Sequence, residues 1–137
     1  MIAIVCIDDK NGMLFNNRRQ SKDQILRQDI YKQTNGKILW MNEFSYHQFE
    51  EDGYENICVE EQFYLKAKEE EYCFIETLSL LEIEDKIDRL ILYRWNRTYP
   101  ADFWFDLPLE EQWKLENVEE FPGKSHEKIT KEEYIRC

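Results

Sequence analysis

The chain is expected to fold as a single α/β domain over residues 1–137, a three-layer arrangement with a mainly parallel central sheet, helices on both faces and an antiparallel C-terminal edge. Three observations lead there. Met1-Ile-Ala-Ile-Val-Cys-Ile7 and Tyr72-Cys-Phe-Ile75 are short continuous apolar runs, the pattern of strands buried on both faces. Up to residue 75, strand-like runs alternate with helical ones at the spacing of right-handed βαβ crossovers. The later runs alternate apolar with polar residues, as half-exposed antiparallel strands do. A chain of 137 residues buries roughly two thirds of its unfolded surface, and 15% aromatic residues supply ample core material.

Asp8-Asp-Lys-Asn-Gly12 stops the first strand with turn chemistry, and residues 13–20 read as a loop because Asn16-Asn-Arg-Arg19 has neither helical nor strand period. Ser21 is placed to cap a helix with Asp23 in its first turn, an apolar stripe of Ile25, Leu26, Ile30 and Tyr31, and a stop at Asn35-Gly36. Residues 37–41 form a second strand, after which Asn42 caps a helix carrying Phe44, His47 and Phe49 as far as Asp52-Gly53. Residues 55–59 give a third strand, residues 60–68 a helix, and residues 72–75 a fourth strand that ends abruptly on Glu76-Thr77. Residues 78–84 suit a short helix or an irregular connection. A long strand spans 86–97 with Ile87, Arg89, Ile91, Tyr93 and Trp95 facing one way, until Pro100 breaks the pattern. Residues 112–121 begin by alternating, with Trp113 and Leu115 on one face, and Pro122-Gly123 turns the chain. Residues 129–136 fit either a helix opened by a Thr130–Glu133 capping box or an antiparallel edge strand.

A net charge of −11 sets the protein's field against nucleic acid and anionic membrane. The charge is uneven: residues 16–37 carry +4, so the remainder carries −15. A basic loop and helix on an acidic body can receive a small anion, and can equally be a solvated helix face. The four cysteines have no CxxC or CxxH spacing, and Cys6, Cys58 and Cys73 sit in apolar runs as small hydrophobes, so neither disulfide nor zinc is expected. No leader pattern or bilayer-length apolar run occurs, and the expected location is the cytoplasm. His47 and His126 are the only histidines, too few for a His-rich dinuclear zinc site. Ser125-His126 reads as a loop dipeptide with no acid placed beside it, and Glu69-Glu70-Glu71 as a solvated turn.

The order of elements resembles dihydrofolate reductase over nearly the whole chain. Residues 1–12 look like that family's first strand and the start of its mobile loop, and Trp40-Met-Asn-Glu-Phe44 like the strand-to-helix turn that carries its Met-Gly-Arg segment. Ile87-Asp-Arg-Leu-Ile-Leu-Tyr93, Tyr99-Pro-Ala-Asp-Phe-Trp-Phe105 and Trp113-Lys-Leu115 are similar to its later strand, its Asp-Thr-x-Phe-Pro segment and its terminal strand pair. The resemblance places the family's cofactor-binding glycine pair near Ile75-Glu76, its phosphate-binding arginine on Glu43, and the basic residues that meet the extra phosphate near Val59-Glu60-Glu61. Glycine's bare backbone is lost and phosphate contacts become anionic, each costing about 2 to 4 kcal/mol of repulsion at an effective dielectric near 20. No cofactor is therefore expected, and NADPH least of all. The family's Leu-Pro-Trp loop corresponds to Arg18-Arg-Gln-Ser21, its helical carboxylate maps onto Asp23 unless that residue simply complements the helix dipole, and its partner threonine maps onto Tyr93.

Two functions compete. One is a non-catalytic binding or regulatory module whose altered cleft is walled by Cys6, Arg18, Arg19, Asp23, Asn42, Glu76, Tyr93 and Arg94 and takes a small polar or anionic ligand. The other is an enzyme of changed specificity in which Asp23 or Glu76 acts as acid or base while Arg18 or Arg19 clamps an anion. They differ in whether Asp23 and Glu76 enter one pocket. A third arrangement, a cleft filled by aromatics and a surface that binds another protein, stays open.

Overall fold

The computed structural model describes residues 1–137. Its spine is β1 (Ile2–Ile7), the buried apolar run at the start of the chain, in which Ala3, Ile4, Val5 and Ile7 are wholly withdrawn from solvent. The other elements are β2 (Gly12–Phe15), β3 (Arg18–Arg19), α1 (Gln24–Thr34), β4 (Leu39–Met41), α2 (Glu43–Phe49), β5 (Ile57–Val59), α3 (Phe63–Lys66), β6 (Tyr72–Phe74), β7 (Arg89–Arg94), β8 (Phe103–Trp104), β9 (Trp113–Phe121) and β10 (Ile129–Arg136). Seven strands form one sheet in the order β5-β4-β6-β1-β7-β10-β9, and β3-β2-β8 form a small second sheet.

Strand β1 lies between β6 and β7, parallel to both, with Ala3 opposite Cys73 and Leu90. Strand β10 runs antiparallel to β7 and to β9, which is the outer edge. Because side chains alternate across a strand, the sheet separates two cores. On one face Ile4, Phe74, Ile91 and Tyr93 pack with Leu26 and Ile30 of α1 and Phe49 of α2. On the other, Val5, Ile7 and Leu92 pack with Phe63 of α3, with Leu80 and Ile83 and with Phe105. Helical segments therefore cover both faces, the second one thinly, through α3 and a 3-10 helix at Leu81–Lys86. No helix is long and apolar enough to cross a membrane.

Several local expectations are corrected. Residues 13–20 are not a loop but the β2–β3 hairpin, joined by Asn16 and Asn17 at φ +52° and +59°, the double left-handed conformation of a type I′ turn that asparagine tolerates. The cap of α1 is Asp23 rather than Ser21, so the helix starts two residues later than expected. The helix expected over 60–68 shrinks to Phe63–Lys66. The long strand is confined to β7, an inner strand between β1 and β10 whose faces are buried in the two cores, Leu90 and Leu92 on one side and Ile91 and Tyr93 on the other. Residues 129–136 are a strand and an inner one. Leu115, on the outermost strand, is 45% exposed while Trp113 is buried.

Candidate functional site

At the carboxyl end of β6 the chain passes through Ile75 to Glu76, a carboxylate only 9% exposed. The hairpin folds over this point and delivers Arg19 into it. Arg19 Nε donates to Glu76 Oε2 and Nη2 to Oε1, each at 3.0 Å, a two-point fork of the strong charge-assisted kind. Nη2 also donates to the Phe44 carbonyl at 3.0 Å, and the guanidinium lies 4.7 Å from the centre of the Phe44 ring. Ser45 Oγ, on α2, donates to Glu76 Oε1 at 2.8 Å and holds the carboxylate from the opposite side.

The cleft expected here is thereby filled. Its remnant, lined by Cys6, Arg19, Gln20, Ser21, Leu26 and Glu76 among others, has a volume of about 10 Å³, room for one water at most. The α1 side chain on this cavity is Leu26, not a carboxylate. Burial, reinforced by Glu76 and opposed by Arg19, pushes the Cys6 thiol well above its ordinary pKa, so the thiolate nucleophile is suppressed.

The neighbouring loops are also tied shut. Asn42 caps α2 through Ser45 N, and its Nδ2 donates to Thr77 Oγ1 at 2.9 Å, linking the β4–α2 turn to the segment after β6. The first amide of α2, on Glu43, donates to Glu61 Oε2 at 3.0 Å, so a carboxylate of the chain already takes the donor that a helix start offers to phosphate. An open groove of about 530 Å³ beside these loops holds Phe44, Thr77, Phe103 and Asp102, with no cation among its lining residues. No group of three or more His, Cys, Asp and Glu side chains is placed to hold a metal ion.

A second open groove, of about 510 Å³, runs along the outside of the hairpin between Phe15, Asn16, Arg18, Arg19, Gln20 and Tyr99. Arg18 is exposed there and forms no ion pair within the chain, whereas Arg19, like Gln20, lines both this groove and the inner cavity.

Asp23 lies outside both spaces. It caps α1 through Ile25 N and Leu26 N and also accepts from Lys124 N at 3.0 Å, Ser125 N at 2.9 Å and His126 Nδ1 at 2.9 Å. Burial alone would raise its pKa, but these donors outweigh burial and hold the carboxyl well below the usual carboxylate range. His126 is buried, stacks on Trp95 with ring centres 4.5 Å apart, and places Nε2 3.0 Å from Ser21 Oγ and 3.2 Å from Tyr99 Oη. Ser125-His126 is thus no free loop dipeptide. It has an acid beside it, supplied from 103 residues away, and no local spacing could have announced that.

Of the side chains expected to wall one cleft, Cys6, Arg19 and Glu76 meet in the small cavity, and Arg18 lies outside it. Asn42 is a helix cap. Tyr93 is buried and donates to Asp29 Oδ2 at 2.6 Å, which also receives Lys131 Nζ at 3.0 Å. Arg94 pairs with Glu132 at 2.8 Å. Asp23 and Glu76 do not enter a common pocket.

No protein-family model and no curated protein sequence matches the chain. Among solved structures it is similar to the dihydrofolate reductase from Enterococcus faecalis complexed with NADP(H) and RAB-propyl, at a TM-score of 0.68 and 13% sequence identity, over 98% of this chain and 95% of that one. Identity that low speaks for architecture and not for chemistry: the chain has a dihydrofolate-reductase-like fold.

Proposed function

We propose that the protein is a binding module on a reductase-like scaffold, one that takes a small anionic ligand in the hairpin groove and does not reduce dihydrofolate with NADPH. The observation that carries this reading is the double position of the hairpin arginines. Arg19 fills the crevice against Glu76, while Arg18, one residue earlier, stands unpaired in the open groove beside Asn16, Gln20 and Tyr99. Arginine in such a setting recognises carboxylate or phosphate with a planar fork. Acid or base catalysis by Asp23 with Glu76 would require both to face one ligand, and they belong to separate hydrogen-bond networks.

A ligand that binds only the folded state raises its melting temperature, by several degrees for a domain of this size when present at about a hundredfold excess over Kd. Citrate, phosphate and short carboxylates, screened at matched ionic strength, are expected to include at least one that raises the Tm of the wild type and loses most of that effect in Arg18→Ala. Equal shifts in the two proteins, or none in either, would leave the groove without a binding role.

A further inference from the structure

The groove holds an anion in the reading above, and the cavity behind it is built for a cation. Glu76 offers two carboxylate oxygens, Phe44 a carbonyl oxygen and an aromatic face, and together they satisfy a planar, donor-rich cation at every point that Arg19 touches. The carboxylate keeps a hold on its orientation without Arg19, because Ser45 Oγ grips Oε1 and Ser45 itself is anchored on the Asn42 cap. The occupant is more exposed than its seat. Arg19 sits on a two-residue strand next to the hairpin turn, its side chain is 20% exposed, and it lines both cavity and groove. Arg18 and Arg19 both line the groove, so a guanidinium displaced from Glu76 stays on a surface that already carries Arg18. Gln20, which lines both spaces, carries the one buried side-chain polar atom without a hydrogen-bond partner, Oε1.

We infer that the Glu76 seat accepts an external guanidinium or amidinium group in exchange for Arg19, and that the groove's ligand carries such a group beside its anionic one, as a small guanidino or amidino acid does. The exchange conserves charge at Glu76: one planar cation leaves and another enters. It also explains the ligand's anionic end, because the displaced Arg19 joins Arg18 and the groove then holds two cations. A compact ammonium or metal ion suits the seat less well, since it lacks the parallel donors that match both carboxylate oxygens. The competing internal arginine acts at a high effective concentration, so the wild type binds a guanidino acid more weakly than a protein with a vacant seat would. The inference rests on the groove reading for the anionic end only.

The test uses methylguanidinium chloride, 4-guanidinobutyrate and butyrate at matched ionic strength, read as thermal shifts and by calorimetry. Methylguanidinium at millimolar concentration is expected to raise the Tm of Arg19→Ala and to leave Arg19→Ala/Glu76→Gln unchanged. In the wild type, 4-guanidinobutyrate is expected to bind more tightly than butyrate, and Glu76→Gln to weaken it about tenfold, the loss expected for one charge-assisted contact. No protection of Arg19→Ala by methylguanidinium, or the same protection in the double variant, overturns the seat. If Arg19→Ala does not fold, the wild type decides, and equal affinity for 4-guanidinobutyrate and butyrate overturns it. If no anion binds the wild type while methylguanidinium still protects Arg19→Ala, the groove reading falls and the seat stands.

Discussion

Asp23→Ala is expected to destabilise the protein by about 3–5 kcal/mol, because several buried donors lose their acceptor together and each such orphaned group costs about 1–3 kcal/mol. That is a large part of the 5–15 kcal/mol that holds a domain of this size together. The effect exceeds the roughly 1 kcal/mol of an ordinary helix cap because the carboxylate serves two segments at once. Without it, the start of α1 loses its acceptor, and the amides of Lys124 and Ser125 and the Nδ1 of His126 are left facing a void. Gly123 shows how closely the turn wraps this group, since a Cβ there would stand 2.6 Å from Asp23 Oδ2. Urea unfolding followed by tryptophan fluorescence measures the loss, with the buried Trp95 stacked on His126 as a local reporter. The folded-state pKa of Asp23 is depressed, so its contribution is fully present above the unfolded value near 3.9 and fades as pH falls below it. The stability gap between wild type and variant should therefore begin to narrow as pH falls below about 4 and close only as pH falls through the depressed folded-state value. A gap independent of pH down to 2 would show that the ionised carboxylate is not what binds the two segments.

Breaking the Arg19–Glu76 pair from one side should cost about 2–4 kcal/mol, somewhat less than for a fully enclosed pair because the side chains keep 20% and 10% of their exposure. Arg19→Ala leaves a carboxylate desolvated beside Cys6 with only Ser45 as donor, and Glu76→Ala leaves a guanidinium held by Phe44 alone. Arg19→Met with Glu76→Gln should recover much of the loss, since two neutral groups of similar size remove the desolvation penalty on both sides. A double-mutant cycle read by urea midpoints is expected to show strong coupling. Additive single effects would mean that the pair does not hold the hairpin down.

The sheet is written in local pattern. The run from Met1 to Ile7 has no polar alternation to spare for solvent, and it is the middle strand; β9 and β10 build the antiparallel edge, whereas the run read as alternating over 86–97 supplies β7, a buried inner strand parallel to β1. The asparagine pair at 16–17 carried a hairpin signal too, though Arg18 and Arg19 beside it look like loop residues, and β3 exists only because β2 is there to pair with it. The site was legible by residue type and not by partner. Arg19 and Glu76 are both recognisable as cleft residues, but nothing local says that they neutralise each other across 57 residues. Asp23 reads as a first-turn carboxylate, which it nearly is, while its tie to His126 depends on the path of the chain between β9 and β10. Tyr93 and Arg94 look like cleft residues because the resemblance puts them there. In the fold they turn instead to Asp29 and Glu132, charges that period and spacing cannot assign.

Titration calorimetry of the wild type with NADPH at low ionic strength, where screening cannot hide a weak ionic contact, tests most directly whether the reductase-like fold has lost its nucleotide crevice. Glu43, Glu60 and Glu76 stand where the resemblance needs phosphate contacts, Glu61 holds the first amide of α2, and Asn42 and Thr77 close the gap between the flanking loops. The expected result is no measurable heat of binding at any attainable NADPH concentration; saturable binding with a micromolar Kd would contradict it.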